Sequence, residues 1–526
     1  MAKPPGTPSK PRRPWRDNLE AFSIAILLAV LAKPMILEAY QIPTPSMQPT
    51  MMGSPAAGVY DRILVDKARY LAFEPKRWDI AVFRYPIRLN QNYVKRIVGM
   101  PGDRLRIAGG NIFDVGEDGE TIATVRRKPD HIQARLWKEV YPARRNLAEE
   151  PRPPLRFFAR LAGSWSEDGD DLLVTPSGAG TARLAYRDSD HSGLSNQIYD
   201  GYPTEVARAI RADSGGSLHL QGVQDVRLTY TITPEKSPTL LSSKLRIRDP
   251  GMTTERSMAL QVEAGMARLR ITVGGDEKAS TDPVPCEVAA GEPTELSFAQ
   301  IDDRLVAWRN GEQILELEVG ANRTTRPLDP GLLTLSMESE GGGAQRLSGI
   351  TVERDVHYQP KFDHPANPMV DVLGHVLEVP EGHYFMMGDN TLASEDSRQW
   401  KSVTVGMDAE GKLVDPDTNP DAVTLRGNRR PWPLDVSPDS DENPVILPPR
   451  TGGKISEVAF TDRDGGVHRL TAKLGPNYEP GKMEFLDPDG HRWLAKSEHV
   501  FYVPREHVLG RPMVTFWPPT RIGFIR

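Results

Sequence analysis

"NYVKRIVGMPGDRLRI", residues 92–107, is the stretch on which the reading of this chain turns. In an extended strand, alternate side chains share a face. Tyr93, Lys95 and Ile97 therefore point one way, and Val94, Arg96 and Val98 the other. Pro101-Gly102-Asp103 makes a turn, and Leu105 to Ile107 opens the next strand. A strand lysine is usually a surface residue whose stem covers apolar neighbours while its charge stays in water. A buried one is different, because loss of solvation lowers its pKa and makes a neutral amine available as a base. The neighbouring runs "RILVDKARY" (62–70) and "WDIAVFRYP" (78–86) are rich in β-branched and aromatic residues, so residues 59–115 read as β-structure.

The partner for such a base lies upstream, in "QIPTPSMQPT" (41–50). Pro43, Pro45 and Pro49 fix φ and restrict their predecessors, which suits a loop that presents the Ser46 hydroxyl in one place. The plain alternative is a rigid linker. A serine hydroxyl is a weak nucleophile without an adjacent base, and Ser–Lys pairs are a variant of the serine-protease scheme. Before this loop, residues 1–18 are Pro-rich and basic, and residues 19–40 are largely apolar with Lys33 and Glu38 inside. They read as a cytoplasmic tail and a single transmembrane anchor, with the two charges at the outer interface. A cleaved signal ending near Ala32 is the rival reading.

A chain of 526 residues implies two to four domains. The net charge of −6 gives no reason to expect nucleic acid. Cys286 is the only cysteine, so no internal disulfide exists, and no cluster has zinc or calcium spacing. Neither a metal nor a cofactor is expected.

Residues 41–116 form the first β unit, and 117–154 read as a connector with a helix around Asp130 to Val140, capped by Asp130. From 155 to 358, short strand-like runs recur between Gly, Asp and Pro turns. This argues for an inserted two-sheet sandwich. Asn310-Gly311 between apolar runs predicts a tight hairpin. The pattern resembles lectin-like and laminin-G-like sandwiches. Trp165, Tyr186 and Trp308 read as core aromatics, and a ligand for this unit is left open. Residues 359–402 return to the style of the first unit, 403–496 form a second, smaller insertion, and 497–526 close the chain with a strand.

Seven blocks, "IPTPSMQPT", "DRILVDKARY", "PKRWDIAVFRYP", "NYVKRIVGMPGD", "YFMMGDN", "SEDSR" and "VPREHVLGR", follow one another behind the apolar segment. In that order they resemble the type I signal peptidases. The resemblance implies a mainly β protein, with an antiparallel catalytic core behind one transmembrane helix. It implies a bacterial plasma-membrane endopeptidase with its catalytic part on the outer, periplasmic face. Its partners would be the bilayer and signal-peptide-bearing preproteins cut at Ala-X-Ala sites. On the family pattern Ser46 is the nucleophile and Lys95 the general base. Thr44 and the Ser46 N–H would hold the oxyanion, Ser394 would hydrogen-bond the lysine, and Asp396 and Arg398 would form a supporting ion pair. Tyr40, Ile42, Pro43, Tyr93 and Val94 fall where the family lines its substrate pockets.

The chain departs from the pattern at Pro45 and Trp78, where glycines are usual, and at Thr391, Leu392 and Ala393 inside "GDNTLASEDSR". The stretch between Gly102 and Val376 is far longer than usual and reads as an ornament outside the core, dispensable where Ser46 and Lys95 are not. Two other readings compete: a Ser/Lys protease with a narrow substrate range, and a non-catalytic membrane-anchored binding protein. The joint presence of Ser46, Lys95, Ser394, Asp396 and Arg398 argues against the last.

Overall fold

The structure, a computed structural model, describes residues 19, 22–23, 36–48, 50–54, 58–117, 122–141, 157–177, 180–187, 198–199, 222–248, 254–319, 333–359, 376–391, 394–427, 455–474, 484–486 and 490–525. The alternation around Lys95 is realised as the long strand Arg88–Gly99. Ile80–Tyr85 pairs with it on one side, with Lys95 opposite Ala81, and His383–Met387 pairs on the other. These strands sit inside an eight-stranded sheet. Its order is Leu37–Gln41, Arg62–Asp66, Val508–Trp517, Ile80–Tyr85, Arg88–Gly99, His383–Met387 and Val503–Pro504, with Gly523–Phe524 beside Val508–Trp517. Three distant pieces of chain thus build one sheet. Its pleat separates two apolar clusters. Tyr93 and Ile97 pack with Ala81, Phe83, Tyr85 and Trp400, whereas Val94 packs with Ile42, Met47, Ile63, Val65 and Val82.

The expected anchor over 19–40 needs correction at its end. Leu37–Gln41 is a strand, paired in register from Leu37 against Asp66 to Gln41 against Arg62. Cross-strand hydrogen bonding outweighs the apolar run there, because these residues complete the sheet. Among the described residues no helix is long and apolar enough to cross a membrane. Most of the expected span lies outside the described residues.

The expected connector over 117–154 is also more structured than its composition suggests. Ile122–Val125 joins a small sheet with Asn111–Val115, Arg104–Ala108 and Leu377–Glu378. The helix is Asp130–Leu136, preceded by Pro129 and without a side-chain cap. It stops short of Val140 because Lys138–Tyr141 is drawn into a strand against Gln345–Arg354.

Two eight-stranded antiparallel sheets follow. One contains Ser164–Asp168, Asp171–Thr175, Gln345–Arg354, Val226–Pro234, Thr294–Ile301, Arg304–Arg309 and Glu312–Glu318, with Lys138–Tyr141 at its side. The other runs from Phe158–Ala162 through Thr181–Tyr186, Leu333–Gly341, Pro238–Arg248, Glu255–Glu263 and Met266–Val273 to Asp276–Ser280. Leu228, Ile232 and Phe298 of the first sheet and Leu245, Leu260 and Leu269 of the second share one core, which makes the pair a sandwich. Asn310 and Gly311 form the hairpin turn, both at positive φ (49° and 79°), between paired Arg309 and Glu312. Such a two-residue turn matches the twist of its strands. Beyond the core, Lys401–Met407, Val423–Gly427, Ile455–Thr461 and Val467–Leu474 belong to two small sheets with a common cluster that includes Val403, Val405, Phe460 and Leu470.

The sandwich is not a free-standing ornament. Ile132 and Leu136 of the helix, and Val356 and Tyr358 after the last sandwich strand, pack with Trp78, Val98, Leu105 and Phe385 of the core. Trp78 is central to this join. It adopts φ 71°, the left-handed region that favours glycine, yet it is buried and stacks on Tyr358 at 6.2 Å between ring centroids. Its ring also faces the Lys128 ammonium at 5.8 Å. The departure from the family glycine thus lies where the insertion meets the core. Relief of left-handed strain is worth about 1–2 kcal/mol, whereas loss of a buried tryptophan costs about 3–5 kcal/mol. Trp78→Gly is therefore expected to lower stability by about 2–3 kcal/mol in urea unfolding. A neutral or stabilising result would show that the ring contributes little to the join.

Candidate active site

Ser46 lies in a single 3-10 turn, Pro45–Met47, closed by the Gln48 N–H on the Pro45 carbonyl at 3.0 Å. Proline pre-sets φ at the first position of the turn, and Met47 anchors it in the cluster that contains Ile42 and Val94. The turn packs against Arg88–Gly99, the strand that carries Lys95. Ser46 and Lys95 are 5% and 3% exposed, so both side chains are largely withdrawn from water. The Thr44 and Ser46 hydroxyl oxygens lie 3.3 Å apart.

The "GDN" segment holds the other side of the turn. The Asn390 N–H donates to the Ser46 carbonyl at 3.1 Å, and its side-chain amide donates to the Pro45 carbonyl at 3.0 Å. A Cβ at Gly388 would fall 2.2 Å from Ser394 Oγ and 2.4 Å from the Ser46 carbonyl oxygen. Only glycine permits this approach, which brings the Ser46 carbonyl and the Ser394 hydroxyl against the same side of one backbone.

Asp396 organises the next layer. It accepts Ser394 Oγ at 2.8 Å, the Gly388 N–H at 3.0 Å, and Arg398 Nε and Nη2 at 2.7 and 2.8 Å. Arg398 also donates to the Gln359 carbonyl at 2.7 Å. Burial alone would raise the Asp396 carboxyl, but the Arg398 guanidinium overrides it and holds it below the usual carboxylate range. Burial likewise drives Lys95 down to about 8, against the opposing pull of Asp396 and Glu395. Its ammonium stands 5.7 Å from the Tyr93 ring centroid.

Thr44, Ser46, Ser394, Asp396 and Arg398 are therefore brought together, with Lys95 on the strand that packs against the Ser46 turn and within the field of Asp396. The expected bond from Ser394 to the lysine is not formed: the Ser394 hydroxyl is given to the Asp396 carboxylate, the stronger acceptor. Among the pocket expectations, Tyr40, Ile42 and Val94 share one apolar cluster, and Pro43 is exposed beside it. Tyr93 lies on the opposite face of its strand, stacked on Tyr85 at 4.2 Å. Three further groups join the site. Arg96, next to the base, makes a buried two-bond pair with Asp389, both at 2.7 Å. Thr50 donates to the same carboxylate at 2.5 Å, and Lys138 donates to Thr50 at 3.3 Å. The first pair had a signal in the adjacency of Arg96 to Lys95 and the "GDN" motif. Lys138 had none.

A family model described as signal peptidase, peptidase S26, matches residues 15–140 and 345–413. The break between the two blocks holds most of the sandwich. The chain is 31% identical over 114 residues to a probable signal peptidase I-2 of Synechocystis sp., covering 21% of this chain and 50% of that protein. It is 29% identical over 174 residues to a signal peptidase I of Pseudomonas aeruginosa, covering 29% and 58%. Over its split core the chain is a relative of the type I signal peptidases, and it spans about half the length of the curated relatives it matches. Among solved structures it is similar to carbohydrate binding module CBM66 from Bacillus subtilis. That likeness has a TM-score of 0.23 and 9% identity over 38% of this chain and 98% of that one, too low to bear on fold or ligand.

Proposed function

We propose that this chain is a membrane-bound endopeptidase that removes N-terminal signal peptides by Ser46/Lys95 catalysis. The observation that carries the reading is the burial of Lys95, which brings its pKa to about 8 on the strand that packs against the Ser46 turn. A base with that pKa is partly neutral at physiological pH, as general-base work requires.

In the proposed reaction, Ser46 Oγ attacks the scissile carbonyl and its proton passes to Lys95 Nζ. The oxyanion is held by the Ser46 N–H and the Thr44 hydroxyl, donors aimed at charge that develops in the transition state. The C–N bond then breaks, and the Lys95 ammonium returns the proton to the leaving amine. Lys95 next takes a proton from water, which attacks the acyl-enzyme carbonyl; the ester C–O bond then breaks as the Lys95 ammonium returns that proton to Ser46 Oγ, releasing the acid and regenerating the serine hydroxyl and the neutral amine. The Asp396 charge opposes the lowering of the lysine by burial, and Ser394 fixes that carboxylate. The substrate adds as an extended strand at a sheet edge, for which Leu37–Gln41, the last strand of its sheet, is available. The cluster around Tyr40, Ile42 and Val94 supplies small apolar pockets suited to Ala-X-Ala. The basic tail of residues 1–18 and the apolar run after it, up to the strand at Leu37, support a plasma-membrane location with the site on the outer face.

The test is the pH dependence of preprotein cleavage by the full-length chain in detergent, with an Ala-X-Ala substrate. Only neutral Lys95 is active, so kcat/KM should rise roughly tenfold per pH unit below about 8 and level off above it. A rate independent of pH between about 6 and 9 would rule out a lysine base with this pKa. No cleavage by a folded chain would favour a narrower substrate range or a binding role.

A further inference from the structure

A buried side chain of the insertion reaches toward the candidate catalytic residues. Lys138 begins the Lys138–Tyr141 strand, which pairs with Gln345–Arg354 of the sandwich. It is 4% exposed and points away from the sandwich core toward the peptidase-like sheet, where its ammonium donates to Thr50 Oγ1 at 3.3 Å. Thr50 lies four residues after Ser46 and donates its hydroxyl hydrogen to Asp389. Asp389 takes two bonds from Arg96, the neighbour of Lys95. The next residue, Asn390, grips the Ser46 turn through both its backbone and its side chain.

We infer that Lys138 is a positioning residue through which the inserted sandwich holds the Ser46 turn and the Lys95 strand in register. Burial lowers its ammonium to about 8, with Asp389 and Asp355 opposing and Arg96 and Arg354 reinforcing. It is therefore mainly charged at neutral pH, and its bond to the Thr50 hydroxyl is charge-assisted though long at 3.3 Å. Three other contacts brace the same region. Thr391 Oγ1 donates to the His357 carbonyl at 2.7 Å, Arg398 to the Gln359 carbonyl at 2.7 Å, and Lys128 pairs with Asp302 and Asp355 at 2.7 and 2.8 Å. Thr391 is one of the departures inside the "GDN" to "SEDSR" loop, so that loop is fitted to the insertion's stem.

The test uses the full-length chain in detergent as parent, Lys138→Met, Thr50→Val, the double variant, and Lys244→Met as a control in the far sandwich sheet. It reads kcat and KM on the Ala-X-Ala preprotein, and hydrogen exchange over residues 44–52 and 388–391. Its kinetic arm rests on the peptidase reading, whereas its exchange arm does not. Lys138→Met is expected to lower kcat roughly ten- to hundredfold, leave KM within about twofold, and speed exchange in both segments. Thr50→Val should do the same, the double variant should be no worse than the worse single one, and Lys244→Met should match the parent. If Lys138→Met fails to fold, Thr50→Val decides alone, since it cuts the same relay. Unchanged kcat with unchanged exchange overturns the inference, as does strict additivity in the double variant. If a folded parent cleaves nothing but exchange still rises in the variants, positioning stands and the peptidase reading falls.

Discussion

Replacing Ser46 by Ala, or Lys95 by Met, lowers kcat for signal-peptide cleavage by at least about 10⁴-fold while KM changes little. In the proposed mechanism both groups act on the reacting bonds in the transition state, and members of such a unit are each indispensable. The lysine variant has a second, opposite effect. Burial places the folded-state pKa of Lys95 at about 8, against an ordinary value of 10.5. The folded chain therefore binds this proton less readily than the unfolded chain. The resulting cost to stability is full below about pH 8 and disappears above the ordinary lysine range. Lys95→Met removes that cost and should stabilise the chain by about 3 kcal/mol at neutral pH. A variant that is inactive and more stable separates lost chemistry from lost fold. Thermal melts at pH 7 beside single-turnover kinetics provide the check, and a destabilised Lys95→Met would show that the lysine is a structural ion-pair partner rather than a withheld base.

The second large effect is expected at Asp396. Its carboxylate receives five groups, two of them on the Arg398 guanidinium and a third the Arg398 backbone N–H, and both side chains are fully buried. Asp396→Ala leaves Arg398 without its carboxylate in a dry site, a change that costs about 3–5 kcal/mol. It also frees Ser394 and the Gly388 N–H, the two groups beside the Ser46 carbonyl. Activity should fall with stability, in contrast to Lys95→Met. The pair also predicts acid lability. The Asp396 pKa is lower in the folded than in the unfolded state, so its contribution is complete above about pH 4 and drains away as pH falls through the folded value. Urea midpoints between pH 3 and 7 should fall more for the parent than for the Ala variant. Equal acid sensitivity in the two would remove Asp396 from this role.

The legible parts of the fold were those carried by local pattern. Strand alternation at Tyr93 to Val98, the Pro101-Gly102-Asp103 turn and the Asn310-Gly311 hairpin each depend on a few adjacent residues. What was illegible depends on distant partners. Residues 37–41 look like the end of an apolar run but pair with residues 62–66. Residues 138–141 look like the end of a helix but pair with residues 352–354. In the site, Ser46 and Lys95 could be named because each sits in a distinctive stretch. Lys138 could not, because its importance lies in Thr50 and Asp389, which nothing in "LWKEVY" announces. Trp78 marks the boundary between the two cases. Its departure from a family glycine was visible, but its reason, the stack on Tyr358 of the insertion's stem, was not.

The most direct test is to incubate a preprotein carrying one Ala-X-Ala site with the full-length chain, and with its Lys95→Met variant, and to locate the cut by mass spectrometry. The account predicts a single new N-terminus immediately after the second alanine with the parent and none with the folded variant. A cut elsewhere, or the same cut at an undiminished rate from Lys95→Met, would contradict it.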